Sequence, residues 1–81
     1  MLSYTLNLKI NGSSENILER CRIDNDSKIY TKDKTSTLTV GDKLVCVRGD
    51  GHEDTYQIVE YWNKINALGS KEIRVKLLDA N

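Results

Sequence analysis

The sequence predicts an all-β protein, a small antiparallel barrel or sandwich of five or six short strands. Three observations lead there. Leu2, Tyr4, Leu6, Leu8 and Ile10 occupy every second position, with Ser3, Thr5, Asn7, Lys9 and Asn11 between them. Successive side chains on a strand point to opposite faces, so this run has one buried and one wet face. The same alternation closes the chain, where Ile73, Val75 and Leu77 interleave with Glu72, Arg74 and Lys76. Between these ends, short apolar runs are separated by Gly, Asn and Asp clusters, and the 81 residues contain no proline. Short strands at such spacing suit a barrel or sandwich.

The first strand spans about Leu2 to Ile10. Asn11-Gly12 then supplies a turn, because both residues tolerate positive φ. Glu15 to Ile23 fits two patterns. Ile17, Cys21 and Ile23 keep strand parity, with Glu19 as an exception, and a hairpin onto the first strand sets Leu8 opposite Ile17 and Tyr4 opposite Cys21. Ile17, Leu18 and Cys21 also match a short helix with Ser14 as N-cap. The strand is favoured, since that register buries apolar against apolar; an α+β fold with a helix near residues 14–22 is the alternative.

Asp24-Asn25-Asp26-Ser27 is turn chemistry, and the polar stretch to Thr37 is broken only by Ile29-Tyr30, a candidate for a short strand. Leu38, Val40, Leu44 and Cys46 share parity across Gly41-Asp42. With Val45 and Val47 opposite, Lys43 to Val47 reads as a central strand buried on both faces. Gly49, Asp50 and Gly51 permit a reversal. Thr55 to Trp62 is a strand with Tyr56, Ile58 and Trp62 on one face and Val59 and Tyr61 on the other. Asn63 to Ser70 is a loop, with room for a helical turn ended by Gly69, and Lys71 to Leu78 is the last strand. There is no internal repeat and no low-complexity segment.

A chain of this length makes one domain, residues 1–81, with a small core. Apolar residues are 38% and charged residues 30%, which is too apolar for a disordered tail. Lys plus Arg and Asp plus Glu number 12 each. Residues 1–40 carry six basic and five acidic side chains, and residues 41–81 six and seven, so neither half is a basic lobe. This balance disfavours non-specific nucleic-acid binding, which rests on phosphate neutralisation. No segment approaches the roughly 18 apolar residues of a membrane span, and the N-terminus lacks the features of a secretory signal. A cytoplasmic protein is expected, with Cys21 and Cys46 as separate reduced thiols packed like small hydrophobes. In that setting the sequons at Asn11 and Asn25 are chance matches.

Thr37-Leu38-Thr39-Val40-Gly41-Asp42-Lys43-Leu44-Val45-Cys46-Val47 resembles the segment after the first long loop of SH3-like barrels, where a Gly-acidic turn leads into a central strand. Tyr56 to Trp62 resembles the strand that follows. The resemblance covers residues 37–62 and implies an SH3-like barrel. The chain lacks an Ala-Leu-Tyr-Asp-Tyr-like start, a paired Trp after the acidic loop and a Pro near its end, so the polyproline-binding role carries over to no residue here. Fold analogy assigns no function.

The residues themselves exclude more chemistry than they suggest. His52-Glu53-Asp54 is the one cluster mixing imidazole and carboxylates, and a solvated turn explains it, since a metal site needs three or four converging ligands. No spacing supplies His52 with a nucleophile. Arg48-Gly49-Asp50 spells an integrin-type tripeptide but reads as hairpin geometry. No glycine pattern supports a phosphate-binding loop. No cofactor or metal is implied.

What remains is a non-enzymatic module that binds another protein, with self-association through free strand edges also open to it. Tyr and Trp offer large rigid contact area with a polar tip, so Trp62 or Tyr61 is the expected anchor, with Tyr30 and Arg48 nearby if the loops converge. If the alternation of the Thr55 to Trp62 strand is regular, one of Tyr61 and Trp62 faces solvent and the other the core. The alternative is a nucleic-acid-binding barrel, with Arg20, Arg22, Lys32 and Lys34 on phosphates and Tyr30, Tyr56 or Tyr61 stacking on bases. The richness in Asn, Lys and Ile is that of an AT-rich genome, and a small accessory protein of a phage or mobile element would have the same look.

Overall fold

The computed structural model describes residues 3–33 and 36–80, with backbone only at Asn63, Asp79 and Ala80. Leu2 and Lys34, used in the reading above, lie outside the described residues. Six strands, β1 (Leu6–Ile10), β2 (Ile17–Asp24), β3 (Lys28–Thr31), β4 (Lys43–Val47), β5 (Glu53–Ile65) and β6 (Lys71–Ala80), form a closed antiparallel barrel in the order β1-β2-β3-β6-β5-β4. Two three-strand meanders thus join through β1–β4 and β3–β6. No helix occurs among the described residues.

Turn chemistry sets the hairpins. Asn11 (φ 54°) and Gly12 (φ 75°) form a two-residue turn closed by Ser13 N donating to Ile10 O at 3.1 Å. Asn25 (φ 52°) and Asp26 (φ 55°) do the same between β2 and β3, with Ser27 N donating to Asp24 O at 3.1 Å. Paired positive φ matches the right-handed twist of the flanking strands. The Ile29-Tyr30 break is therefore a true strand, paired to β2 and β6.

The inward side chains Leu8, Leu18, Cys21, Ile29, Leu44, Cys46, Tyr56, Ile58 and Ile73 make the core. Each large aliphatic contributes about 1.5–3 kcal/mol by leaving water. Leu38 closes one end.

Of the two readings of residues 14–22 the favoured strand is the one seen, as β2 from Ile17, and no helix occurs there. Four other expectations are corrected. Leu6 faces Cys21 and Leu8 faces Leu18, not the pairs Tyr4–Cys21 and Leu8–Ile17, because β2 takes one extra residue between these pairs. The bulge falls at Glu19-Arg20, where Arg20 adopts φ 54°. It turns both Leu18 and Cys21 inward, three residues apart, which is a helical spacing produced by a bulged strand. β4 is buried on one face only: Leu44 and Cys46 point in, while Val47 is exposed, as a closed barrel requires. Val40 is likewise outside the core, and the 66–70 turn contains no helical turn.

Candidate functional site

The outer face of the barrel carries the aromatic and cationic side chains. Arg22 on β2 pairs with Tyr30 on β3, and Tyr30 pairs with Glu72 on β6. The Arg22 guanidinium lies 4.5 Å from the Tyr30 ring centre and 5.9 Å from that of Tyr4. Lys32 Nζ lies 4.9 Å from the Tyr4 ring centre and donates to Leu68 O at 2.8 Å. Tyr4 Oη and Arg22 Nε are closed off from solvent, and no hydrogen bond of good geometry reaches either. The Ser70 side chain, then Arg22 and Lys32, pull the Tyr4 phenol below its usual range.

Trp62 continues this face onto β5. Glu60 pairs with Arg74 and Tyr61 with Ile73. The Arg74 guanidinium sits 5.7 Å from the Trp62 ring centre and loosely bridges Glu60 (4.0 Å) and Glu72 (3.8 Å). Trp62, Lys64, Ile65, Asn66 and Glu72 line a shallow groove of about 430 Å³. Trp62 is 50% exposed, Ile65 52% and Leu68 60%, three exposed apolar side chains at the end of β5 and in the turn that follows. The tip is held by Asn66, whose Oδ1 accepts from the backbone N–H of Leu68 and Ser70 and from Ser70 Oγ.

The expected division of Tyr61 and Trp62 is real, but the parity inferred from Tyr56 is reversed. Between Ile58 and Glu60, β5 gains one residue on β6. Before this bulge Tyr56 and Ile58 face inward; after it Tyr61 packs against the core and Trp62 faces out. Trp62 is thus a surface residue, and Tyr61 offers a partner little area.

Tyr56 cannot stack on a base. It is fully buried, and its hydroxyl donates to Asp26 Oδ1 at 2.6 Å. Burial, then the Asp26 hydrogen bond and charge, push its pKa up. Arg48 is not beside Trp62. It pairs with Asp54 (Nη2 to Oδ2 2.6 Å, Nε to Oδ2 2.8 Å), eight residues back along β5, roughly 25 Å at strand rise. The same hydrogen bond raises the Arg48 pKa. Of the four residues first singled out for protein binding, the fold brings Trp62 and Tyr30 to one face and leaves Tyr61 inside and Arg48 elsewhere.

Three of the four cations proposed for phosphates are held by the protein itself; the fourth, Lys34, lies outside the described residues. Arg20 Nη2 donates to Lys32 O at 3.4 Å, Lys32 reaches Leu68 O, and Arg22 covers Tyr30. His52 pairs with Asp50 at 3.0 Å in an open turn, both 62% exposed. Among the described residues no group of three or more His, Cys, Asp or Glu converges. Cys21 and Cys46 are free and buried; burial pushes Cys21 up to about 12 and raises Cys46 as well. The larger recess, about 520 Å³ between the β1–β2 turn and residues 36–42, is polar. Its Asn11 and Asp42 are tied to each other and to the backbone of Lys43 and Thr39.

Sequence reasoning missed Ile65, which lines the groove with Trp62, and the nearby exposed Leu68. Their assignment to a loop hid the signal, which was an apolar residue every third position from Trp62. No protein-family model matches the chain, and comparison with curated proteins and with solved structures finds no match either.

Proposed function

We propose that this chain is a non-enzymatic module that binds another protein, through the face bearing Trp62, Ile65 and Leu68 with Tyr30 alongside. The observation that supports this is a single tryptophan, half exposed, lining a groove together with the exposed apolar side chain of Ile65. Large aromatic anchors beside a groove are the usual centre of a protein contact. Glu60, Glu72, Lys64 and Arg74 give the surrounding rim both charge signs, as contact rims have. We read the barrel as a member of the SH3-like class working in the cytoplasm, on the Gly41-Asp42 turn that leads into β4.

The nucleic-acid reading is less well supported. Its three described cations, Arg20, Arg22 and Lys32, are engaged within the protein, its Tyr56 is core, and Glu72 lies in the row of Arg22 and Tyr30.

The test is capture of partners from nuclease-treated lysate by the tagged chain, comparing wild type with Trp62→Ala. The expected result is a protein retained by the wild type and lost by the variant while the variant stays folded. Retention by both, or loss of all capture on nuclease treatment, contradicts the proposal.

A further inference from the structure

The β1–β2 turn is fastened to the start of β4 through one side chain. Asn11 Oδ1 accepts from Lys43 N at 3.0 Å, and Asn11 Nδ2 donates to Asp42 Oδ1 at 3.4 Å. The backbone adds Asn11 N donating to Lys43 O at 2.6 Å. Asp42 is fixed in its turn, with Oδ2 accepting from Thr39 N at 3.0 Å. Asn11 and Asp42 both line the polar recess of about 520 Å³.

Asn11 alone among the asparagines is followed by glycine. A bond from an asparagine Cγ to the next backbone nitrogen closes a five-membered ring, and glycine crowds that nitrogen least. Nothing lies within 4 Å of where a Cβ would stand on Gly12. Among the described residues Gly12 N donates no hydrogen bond. Both residues are exposed, so water reaches them.

We infer that Asn11 is a modification site, where the carboxamide becomes a carboxylate without an enzyme, at a rate set by its release from Asp42 and Lys43. The Gly12 nitrogen loses its proton and attacks Asn11 Cγ. The Cγ–Nδ2 bond breaks, and ammonia leaves with that proton. The product is a cyclic imide, which water then opens. Breaking the bond from Cγ to the Gly12 nitrogen gives an aspartyl residue on the original backbone. Breaking the bond from the Asn11 carbonyl carbon instead gives an isoaspartyl residue, with the chain running through Cγ.

Ring closure swings Cγ onto the Gly12 nitrogen. That breaks both carboxamide hydrogen bonds and turns Asn11 out of its left-handed conformation. The folded turn is therefore a brake, and conversion proceeds through local opening. The conversion also changes the recess. A carboxylate still accepts from Lys43 N but cannot donate to Asp42, and two like charges then face each other. The isoaspartyl form adds a backbone atom to a two-residue turn whose paired positive φ matches the strand twist. Either product loosens the β1–β2 turn from residues 39–43.

The test is incubation of the full chain in mildly alkaline buffer over weeks, read by intact mass and peptide mapping. Wild type, wild type in urea, Asp42→Ala and Asp42→Asn are compared, with folding checked by circular dichroism. Wild type gains the mass of an amide-to-acid exchange at Asn11, in aspartyl and isoaspartyl forms. Asn25, the other described asparagine at positive φ, keeps its amide. Urea speeds the conversion at least about tenfold, by removing the folded turn. Folded Asp42→Ala converts at least about threefold faster than wild type, having lost one hydrogen bond to the carboxamide. Asp42→Asn, which keeps an acceptor for Asn11 Nδ2, stays near the wild-type rate. Asn11→Asp, made directly, melts below wild type, and added salt recovers part of the loss.

An unchanged Asn11 in folded protein, once the urea sample has fully converted, overturns the inference, as does faster conversion at another asparagine. Equal rates in buffer and in urea, or in wild type and folded Asp42→Ala, overturn control by the turn. If Asp42→Ala does not fold, the comparison of buffer with urea decides that point. Asn11→Asp as stable as wild type overturns the loosening.

Discussion

Tyr56 shows how one side chain can settle several questions. Its ring fills the barrel, and its hydroxyl reaches Asp26 in the β2–β3 turn, thirty residues away in the chain. A hydrogen bond to a charged acceptor is worth about 1.5–3 kcal/mol; Asp26 is exposed, so Tyr56→Phe should cost about 1–2 kcal/mol in urea unfolding at neutral pH. The pH dependence follows from the raised values. An acid whose folded pKa lies above its unfolded value stabilises the fold fully below the unfolded pKa and loses that contribution as pH rises toward the folded one. For Cys21 the window runs from 9.0 to about 12, and Tyr56 shifts in the same direction. Stability should therefore fall progressively above about pH 9, and the gap between wild type and Tyr56→Phe should narrow there, because Phe cannot ionise. Equilibrium unfolding at neutral and alkaline pH checks both. Native protein should also leave Cys21 unreactive to a thiol reagent at neutral pH, since the thiolate is the nucleophile. Trp62→Ala, in contrast, should cost no more than about 1 kcal/mol, the size of an exposed cation–π contact with Arg74.

Two bulges decide what the elements present. In β2 the extra residue is Arg20, held at φ 54° with its N–H donated to Asn7 Oδ1 at 3.2 Å and its C=O accepting from Lys32 N at 2.9 Å. Thr31 Oγ1 donates to Glu19 O at 2.8 Å, and Asp33 accepts from Glu19 N at 3.2 Å. The bulge is thus braced by side chains of β3 and the residue beyond it. A left-handed conformation costs a non-glycine residue about 1–2 kcal/mol. Arg20→Gly should hold or raise the melting temperature, against the usual loss for glycine within a strand, whereas Arg20→Val should lower it by several degrees. Equal losses from both would show that the backbone there is not left-handed. In β5 the bulge after Ile58 exchanges the faces of Tyr61 and Trp62, and so brings Trp62 to the surface proposed for binding.

At the scale of the whole molecule, much of the barrel was legible because alternation is a local signal. β1 and β6 were read from parity, and both two-residue turns from Asn, Asp and Gly. The bulges were not legible. They need one extra residue placed against a partner strand, and the single sequence of 17–24 or 53–65 contains no mark for it. Three of the misreadings lie next to one: the β1–β2 register, the helical spacing of Leu18 and Cys21, and the reversed faces at Tyr61 and Trp62. The candidate site was half legible for the same reason. Residue type pointed to Trp62 and Tyr30, but only closure through β3–β6 puts them on one face and sends Arg48 to the far end of β5.

Fluorescence of the single tryptophan tests the account most directly. In dilute, folded protein Trp62 should emit close to indole in water and be readily quenched by acrylamide. A blue-shifted, poorly quenched signal at every dilution would place Trp62 in the core, and would contradict both the reversed face of β5 and the binding surface built on it.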